Sequence, residues 1–486
     1  MLLNFQVIEQ LEQSDEKRIL CLGDCMLDKF VYGQVSRISP EAPVPVFQET
    51  YETTMLGGAA NVAANIGAYT CNVDFISVIG TDEEGGVLQQ VLQNHPQITS
   101  YLIQEVSRPT TTKSRFVTNS QHLLRVDKEV CTETTQTTQK QIISIFKRII
   151  HHCNIVLLSD YRKGFFTEAL TQQLIQTAKD HNKTIIIDPK GTDYHKYTGA
   201  SILTPNRSEL SAATGLPVTT TLEIETAARH LINNFGIGAI LVTRSEEGMS
   251  LITATEGYHI NTEAKQVYDV SGAGDTSVAT LALALSCGID LKIACEIANI
   301  AAGIVVAKSG TALVYRDELL NNLLRKCRSH LPEKLTELTT AQKLVNRWKA
   351  AGKKIGFTNG CFDLVHPGHI TLLKKAKQLC DILIVGLNSD NSVRGLKGSQ
   401  RPIQNEQARA AILSALSDPD LIIIFDEPTP INLIRALKPD FLIKGSDYTI
   451  DQVIGADIVQ ANGGRVELID LVANHSTTNI VKRLTS

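Results

Sequence analysis

Short apolar segments alternate with amphipathic segments between residues 73 and 245. The apolar segments are residues 73–79, 155–159, 184–188, 201–204 and 239–243, and helical periodicity fills most of the intervals, as at 138–151 and 167–181. Short apolar runs predict buried strands, and their alternation with helices predicts a mostly parallel sheet covered on both faces. An earlier apolar run at 19–24 predicts one more buried strand.

A second and shorter α/β pattern begins at residue 354. Its predicted strands are 355–358, 382–387, 421–425, 441–444 and 466–469, with helices that begin near Pro367, Asn405, Thr429, Thr449 and Ser476. This order predicts a compact, doubly wound, Rossmann-like sheet. Between the two patterns the chain is charged and helical, with a break at Pro332. We expect domains at 1–330 and 354–486, joined by a helical linker at 331–353.

Residues 32–54 and 111–126 interrupt the first pattern. The former has alternating Val-Pro-Val-Phe, and the latter interleaves Lys113, Arg115 and Arg125 with apolar residues. We interpret them as two halves of a small antiparallel sheet, called the flap here, that stands off the first domain. A basic flap over a pocket suits a phosphorylated substrate, although a solvated strand face explains the same charges.

Composition narrows the class of protein. The chain has 486 residues, 43% of them hydrophobic and 20% charged, and a net charge of −4. This length exceeds one hydrophobic core, and no long basic run marks a nucleic-acid surface. Ten cysteines without a C-x-x-C pair indicate neither a zinc site nor a disulfide framework. We expect a cytoplasmic protein that binds neither nucleic acid nor membrane.

Polar residues follow the predicted strands, at Asp160, 188–191, 206–209 and 243–248, and a glycine turn, Gly272-Ala-Gly-Asp275, precedes an apolar helix. Amides at a helix N-terminus favour an anion. Asp275 facing that anion makes sense as a base that takes a proton from a hydroxyl nucleophile. The alternative is a turn with Asp275 as a helix cap.

Two further groups of residues suit a polyol. Asp24 and Asp28 follow the first strand, and Gly57, Gly58 and Asn61 open a helix of small residues. Carboxylates and an amide beyond strand ends can bind sugar hydroxyls. Turn and cap roles, or close helix packing, explain the same residues.

These motifs together resemble the ribokinase-like carbohydrate kinases over residues 18–316. The resemblance rests on Gly57-Gly58, Asn206-x-x-Glu209 and the 269–275 turn. It implies a ribokinase-like α/β sandwich with a small β flap, with Asp275 as base and the amides of Gly272, Ala273 and Gly274 as an anion hole. It also implies Mg²⁺ held by Glu209 through water. Implied ATP contacts are Asn206, Arg207, Ser208, Glu209, Thr243, Gly248 and Asn299, and implied sugar contacts are Asp28, Gly57, Gly58 and Asn61, to which we add Lys113 and Arg115. Arg244 departs from the glycine that many members carry there.

His366-Pro-Gly-His369 follows the first strand of the second pattern. Pro367 suits the first turn of a helix, so the two imidazoles face one anion site at its start and can donate hydrogen bonds to phosphate oxygens. Capping histidines or a metal pair are the alternatives. Residues 354–486 resemble the cytidylyltransferase-like nucleotidyltransferases. The implied ATP contacts are Thr358, Asn359, Gly360, Phe362, Asp363, Asn388, Asp390, Arg394, Lys397, Lys444, Ser476, Thr477 and Thr478, with Asp363 near the nucleotide or Mg²⁺.

The two halves in one chain resemble the family of bifunctional heptose 7-phosphate kinases and heptose 1-phosphate adenylyltransferases. Strings such as Ser36 to Val46, Asp188 to Asp193 and Arg394 to Pro402 carry this resemblance. It implies ATP as substrate at both sites and a role in making ADP-heptose for the lipopolysaccharide core. Two alternatives stay open: another sugar kinase fused to a cytidylyltransferase, and a non-catalytic nucleotide sensor or scaffold. We expect a homodimer formed through the kinase domain.

Overall fold

The structure is a computed structural model that describes residues 5–118, 121–262, 272–308, 312–328, 334–446 and 449–470. The chain divides into two compact units, Met1–Leu324 and Arg325–Ser486. Within the described residues, no helix is both long and apolar enough to cross a membrane.

The first unit is built on a nine-stranded sheet and a four-stranded sheet. Its strands are β1 (Arg18–Gly23), β2 (Cys25–Ile38), β3 (Pro45–Gly58), β4 (Asn72–Ile79), β5 (Ile98–Gln104), β6 (Thr112–Thr118), β7 (Gln121–Lys128), β8 (Ile155–Ser159), β9 (Thr184–Asp188), β10 (Ile202–Leu203), β11 (Ala239–Thr243), β12 (Met249–Thr253) and β13 (Gly257–Ile260). The large sheet has the order β13-β12-β11-β10-β9-β8-β1-β4-β5. It is parallel from β11 to β5, and the β12–β13 hairpin adds an antiparallel edge.

The helices of this unit are α1 (Phe5–Glu12), α2 (Ala59–Ala68), α3 (Glu83–Gln93), α4 (Gln136–Ile149), α5 (Glu168–Asp180), α6 (Arg207–Thr214), α7 (Thr221–Phe235), α8 (Ala273–Ser286), α9 (Leu291–Val305) and α10 (Arg316–Arg328). Helix α4 shows why the pattern folds this way, because Ile142, Phe146 and Ile149 recur at helical spacing and all three are buried. Strand β1 is buried at five of its six positions, as expected for a central strand covered on both faces.

The four-stranded sheet is the flap, with the order β3-β2-β6-β7. Its two 14-residue strands are buried where they leave the main body and exposed towards their far ends, and every residue of β7 is exposed. Strands β2 and β6 join the two predicted halves in one sheet, but they pair in parallel, so the flap is a mixed sheet and the prediction of an antiparallel sheet was wrong at this pairing. Asp28 lies at the inner end of β2, where the flap joins the body of the unit.

The second unit has a five-stranded parallel sheet, with the order β16-β15-β14-β17-β18. Its strands are β14 (Ile355–Gly360), β15 (Ile382–Asn388), β16 (Leu421–Phe425), β17 (Phe441–Gly445) and β18 (Arg465–Ile469), and its helices are α11 (Leu338–Ala350), α12 (Pro367–Gln378), α13 (Asp390–Lys397), α14 (Glu406–Ala415), α15 (Ile431–Leu437) and α16 (Ala456–Ala461). The chain order reverses at β14, which puts a ligand crevice at its carboxyl end.

Helix α11 lies in the segment that we predicted as a linker. Its Ala341 and Val345 are fully buried in the core of the second unit, and Trp348 packs against the same core. The apolar positions along this helix therefore pack inside the second unit.

Candidate active sites

Asp275 lies in the first turn of α8, whose N-cap residue is a left-handed Gly272 with φ of 80°. Both of its carboxylate oxygens accept hydrogen bonds. The Tyr161 hydroxyl donates to Oδ1 at 2.5 Å, and Asn61 Nδ2 donates to Oδ2 at 2.6 Å. Asn61, which resemblance assigns to the sugar, thus touches the candidate base in this structure. Asp275 is held from α2 and from the loop after β8.

Burial raises the pKa of Asp275, while the hydrogen bonds from Tyr161 and Asn61 act in the opposite direction. Burial also raises the pKa of the nearby Asp188 to about 8, with the charges of Asp275 and Glu209 adding to the effect. Several carboxylates thus converge on one partly desolvated place, which is a common feature of sites that bind a metal–phosphate or move a proton.

The flap contributes a buried ion pair beside this site. Asp28 is buried and accepts from Arg115 Nη1 at 2.5 Å, and the Arg115 guanidinium lies over the Phe30 ring. A Cβ on Gly57 would lie 2.5 Å from Asp28 Oδ2, so a side chain there would displace this carboxylate. Lys113 stands opposite Asp28 in the strand register, and burial lowers the pKa of Lys113. The predicted sugar residues Asp28, Gly57, Lys113 and Arg115 therefore lie together.

Asn206 and Glu209 form a capping box at the start of α6. Asn206 Oδ1 accepts from the Glu209 amide, and Glu209 Oε2 accepts from the Asn206 amide at 2.9 Å. Lys190 pairs with the other Glu209 oxygen. With both oxygens engaged, Glu209 fits Mg²⁺ through water better than as a direct ligand. No group of three or more metal-binding side chains occurs among the described residues.

Two cavities share the residues Asn206, Thr243, Gly274 and Ser277. The smaller, about 180 Å³, contains Asp275, Asp188, Lys190 and Glu209. The larger, about 460 Å³, is lined by Gly248, Met249, Asn299, Ala302 and Val306 among others. A larger, partly apolar cavity that shares lining residues with a small charged one has the form of a nucleotide site whose phosphates lie near the base.

Some of the predicted ATP residues line the larger cavity, and others contact the residues that form its wall. Asn206, Thr243, Gly248 and Asn299 line the larger cavity. Arg207 pairs with Glu247, and the Ser208 hydroxyl donates to Asn206 Oδ1 at 2.6 Å. Arg244 is buried and donates to backbone carbonyls, including that of Glu247 at 3.0 Å. It therefore supports the backbone that lines the larger cavity.

The sequence analysis did not predict the roles that two residues, Tyr161 and Asp24, have in this site. Tyr161 was not singled out, although it contacts Asp275 directly. Asp24 was considered for the sugar, but its carboxylate accepts three backbone N–H groups, from Tyr161, Lys163 and Phe165, at 2.9–3.1 Å. A signal was available in the Asp-Tyr sequence after an apolar strand, where polar residues gather at the active edge.

In the second unit, His366 occupies the N-cap position of α12 and His369 lies in its first turn. The rings stack with centroids 3.8 Å apart and an angle of 24°, and Phe362 packs against His369. Burial, the adjacent His366 and Lys397 lower the pKa of His369 to about 4. The structure thus brings the two histidines together at a helix N-terminus, beside the carboxyl end of β14.

Asp363 is fully buried, and its contacts are with protein groups. Its Oδ2 lies 2.9 Å from Arg401 Nε in an ion pair, and its Oδ1 accepts from the amides of Ile403 and Gln404 at 2.7 and 3.2 Å. In this structure the carboxylate therefore anchors the loop that follows α13. Its predicted place near the nucleotide or Mg²⁺ stays a prediction.

A buried arginine connects several segments at the carboxyl ends of the strands in the second unit. Arg409 donates to the carbonyls of Cys361 and Asn388 and to the Asp390 carboxylate, each at 2.7 Å. Among the other predicted contacts, Thr358 is buried, Lys444 Nζ donates to the Asn359 carbonyl, Gly360 lies against the Phe362 ring, and Arg394 and Lys397 are exposed on α13. Ser476, Thr477 and Thr478 lie outside the described residues.

Comparison with known proteins settles the family. The pfkB family carbohydrate kinase model matches residues 16–317, and the cytidylyltransferase-like model matches residues 357–482. The chain is 48% identical to the Bifunctional protein HldE of Paramagnetospirillum magneticum over 98% of both chains, and 47% identical to that of Rhodospirillum rubrum over 96% of this chain and 94% of the relative. The chain belongs to the HldE family.

As an HldE family member, the chain is a bifunctional heptose kinase and adenylyltransferase. The kinase fold has independent support from solved structures. A ribokinase of Arabidopsis thaliana complexed with ribose and ATP has a TM-score of 0.52 at 22% identity, covering 63% of this chain and 98% of that one. Phosphofructokinase-2 of Escherichia coli has a TM-score of 0.53 at 17% identity, covering 64% and 98%. The predicted fold class is confirmed.

Proposed function

We propose that the first unit phosphorylates C1 of D-glycero-β-D-manno-heptose 7-phosphate to the 1,7-bisphosphate. We propose that the second unit then joins heptose 1-phosphate to AMP from ATP, giving ADP-heptose for the lipopolysaccharide core. The observation that carries the kinase half is the position of Asp275, in a small charged cavity that shares Gly274 and three other lining residues with a larger one. Both reactions use cytoplasmic ATP, so we propose the cytoplasm as the place of action.

In the kinase step, the C1 hydroxyl attacks the γ-phosphorus of ATP as the bond from this phosphorus to ADP breaks. Asp275 takes the hydroxyl proton, and the amides of Gly272, Ala273 and Gly274 at the start of α8 stabilise the transferring phosphoryl group. Asp28, on the flap side, orients the sugar hydroxyls. Burial raises the pKa of Asp275, which means that its carboxylate binds a proton more tightly.

Mg²⁺ supplies charge neutralisation to the phosphates when it is bound. Glu209 and Asp188 are the residues that fit it, through water, because both line the small cavity with Asp275. Burial and the neighbouring carboxylates raise the pKa of Asp188, and a bound cation would act in the opposite direction and favour its charged form. Lys190, which also lines the small cavity, adds a further positive charge for the phosphates.

In the adenylyltransferase step, a phosphate oxygen of heptose 1-phosphate attacks the α-phosphorus of ATP, and pyrophosphate leaves. Positioning and neutralisation of charge do this work without a covalent intermediate. His366 and His369 are proposed to donate hydrogen bonds to phosphate oxygens at the start of α12. A neutral imidazole retains one N–H donor, so the low pKa of His369 is compatible with this role.

We propose that the chain is a homodimer formed through the flap. Exposed apolar side chains gather on its strands, among them Ile38, Tyr51, Leu124 and Val126. Exposed apolar side chains of this kind favour association. Light scattering after chromatography should give twice the chain mass, and Leu124→Lys should shift the protein to monomer. A monomeric parent protein would contradict the proposal.

Phosphorus NMR tests both activities on the full chain with Mg·ATP. One sample holds the heptose 7-phosphate and the other the heptose 1-phosphate. We expect ADP and the 1,7-bisphosphate in the first, and pyrophosphate and a sugar nucleotide in the second. Asp275→Asn should abolish the first reaction alone, and His369→Asn the second alone, so each variant controls for folding of the other. Turnover by Asp275→Asn at the parent rate would overturn the proposed base.

A further inference from the structure

The loop after β8 is shaped by one buried carboxylate. Asp24, directly after β1, accepts hydrogen bonds from the amides of Tyr161 at 2.9 Å and of Lys163 and Phe165 at 3.1 Å. Three amides that converge on one buried carboxylate, called the Asp24 nest here, fix the backbone over five residues.

The backbone of this loop takes conformations that need such support. Arg162 has a φ of 61°, which is uncommon for a residue with a side chain, and its amide donates to Asp160 Oδ1 at 2.7 Å. Gly164 has a φ of 89°, and a Cβ there would lie 1.9 Å from the Thr132 carbonyl oxygen. Strained loops persist where the surrounding structure over-determines them, and they cluster at functional sites.

The fixed backbone of this loop sets the direction of the Tyr161 side chain. Its hydroxyl donates to Asp275 Oδ1 at 2.5 Å, while Asn61 holds Oδ2. Burial raises the pKa of Tyr161 well above its ordinary value, so the hydroxyl remains a donor throughout the working pH range. Asp275 is therefore clamped between an amide from α2 and a phenol from the loop.

We propose that Tyr161 is a positioning residue for Asp275 and that the Asp24 nest sets its place. The proposal rests on the proposed function, since it takes Asp275 as the base. Tyr161 holds the carboxylate in the orientation from which it accepts the sugar proton, and it stabilises the ionised form that must be present before transfer.

Tyr161→Phe is the variant that removes the hydroxyl and keeps the ring. We expect the kinase kcat to fall by about 10- to 100-fold while KM for heptose 7-phosphate changes less than about threefold, because misplacing the base impairs the transition state rather than substrate binding. The matched control is Tyr194→Phe, which removes another buried hydroxyl from the same unit. This control should keep the parent kcat, and both variants should keep adenylyltransferase activity.

The pH profile of the kinase kcat/KM gives a second measurement. Losing the Tyr161 donor should move the acidic limb to higher pH, since that hydrogen bond lowers the pKa of Asp275. Among the described residues, other titratable or charged groups near Asp275 include Cys21 on β1, Asp28 on β2, Asp188 and Lys190, and Glu209 lines the same cavity. None of them changes in Tyr161→Phe, so a shift reports on the lost hydroxyl.

Asp24→Asn tests the second half of the proposal. It keeps the shape of the side chain and removes the charge that gathers the three amides, so the kinase kcat should fall while the adenylyltransferase rate stays. A parent-like kcat in Tyr161→Phe, or a rise in KM alone, overturns the positioning role. If Asp275→Asn itself keeps kinase activity, the proposed base has failed, and this result is distinct from a failure of Tyr161 alone.

Discussion

Arg115 Nη1 and Asp28 Oδ1 lie 2.5 Å apart, on the neighbouring strands β6 and β2 of the flap. Asp28 is buried, and a buried charge that loses its partner is costly. Arg115 therefore has a structural task in addition to the proposed contact with the 7-phosphate. The two tasks can be separated by experiment.

Arg115→Ala should raise KM for heptose 7-phosphate by about 10- to 100-fold, because the phosphate loses a cation and Asp28 loses the charged partner that holds it in place. Asp28→Asn and the double variant complete the cycle. If Arg115 also holds the phosphate, the double variant should have a higher KM than Asp28→Asn. Equal values would mean that Arg115 acts through Asp28 alone, and unchanged kinetics in Arg115→Ala would contradict both roles.

His369 should make the second unit less stable in acid. Its pKa falls from 6.5 to about 4 on folding, so between these values the unfolded chain binds a proton that the folded chain does not. The free energy of unfolding should therefore fall as pH falls through this range, by about 1–2 kcal/mol after allowance for the partial exposure of the ring. Urea unfolding at pH 7.5 and 4.5, followed by the fluorescence of Trp348, measures this loss.

Trp348 is a suitable probe because it is the single tryptophan of the chain and packs against the core of the second unit. His369→Gln should remove this part of the pH dependence. His152→Gln, an exposed histidine of the first unit, should leave the Trp348 profile unchanged. A His369→Gln profile parallel to that of the parent protein would show that other groups cause the acid sensitivity.

The sequence predicts the strands better than the contacts between them. Short apolar runs placed β8, β9, β11 and β16 at their observed bounds, because a central parallel strand is buried on both faces. Strand β5 and helix α13 were missed. Helix α13 is an eight-residue helix with several polar residues, including Arg394 and Lys397, and its periodicity is too brief to recognise.

The candidate active sites show the same contrast between local patterns, which were predicted, and contacts between distant residues, which were not. The glycine turn and the His-x-x-His spacing are local signals, and local signals located Asp275 and the histidine pair. Tyr161 meets Asp275 across 114 positions of sequence, and the amide of Ile403 meets Asp363 across 40. Contacts of that kind depend on how loops return to one sheet edge, which hydrophobic periodicity does not specify.

Asp363→Asn should lower adenylyltransferase kcat/KM for ATP by about 10- to 100-fold, because the loop at 401–404 loses its charged anchor and no longer holds its place beside the site. The dependence on Mg²⁺ concentration should stay the same. Asp451→Asn, an exposed surface change in the same unit, should behave as the parent protein. A raised half-saturation for Mg²⁺ in Asp363→Asn would instead support the metal contact that resemblance implies.

Gly58→Ala should abolish kinase activity through backbone geometry alone. Gly58 has φ of 58° and ψ of −138°, a combination that residues with a side chain avoid, and a Cβ there would lie 2.5 Å from the Asp24 carbonyl oxygen. That carbonyl accepts the Ala59 amide at the start of α2, the helix that carries Asn61 to Asp275. The substitution therefore disturbs the base from its α2 side.

Gly86→Ala is the matched control for Gly58→Ala. Gly86 lies inside α3, and a Cβ there would have open space around it, so the change should stabilise the protein by about 0.5–1 kcal/mol at unchanged kinase rate. Steady-state kinase kinetics and thermal melts of both variants make the comparison, with adenylyltransferase activity as a check on the second unit. Full kinase activity in Gly58→Ala would show that this part of the site tolerates a displaced α2, and the clamp on Asp275 would then depend on Tyr161 alone.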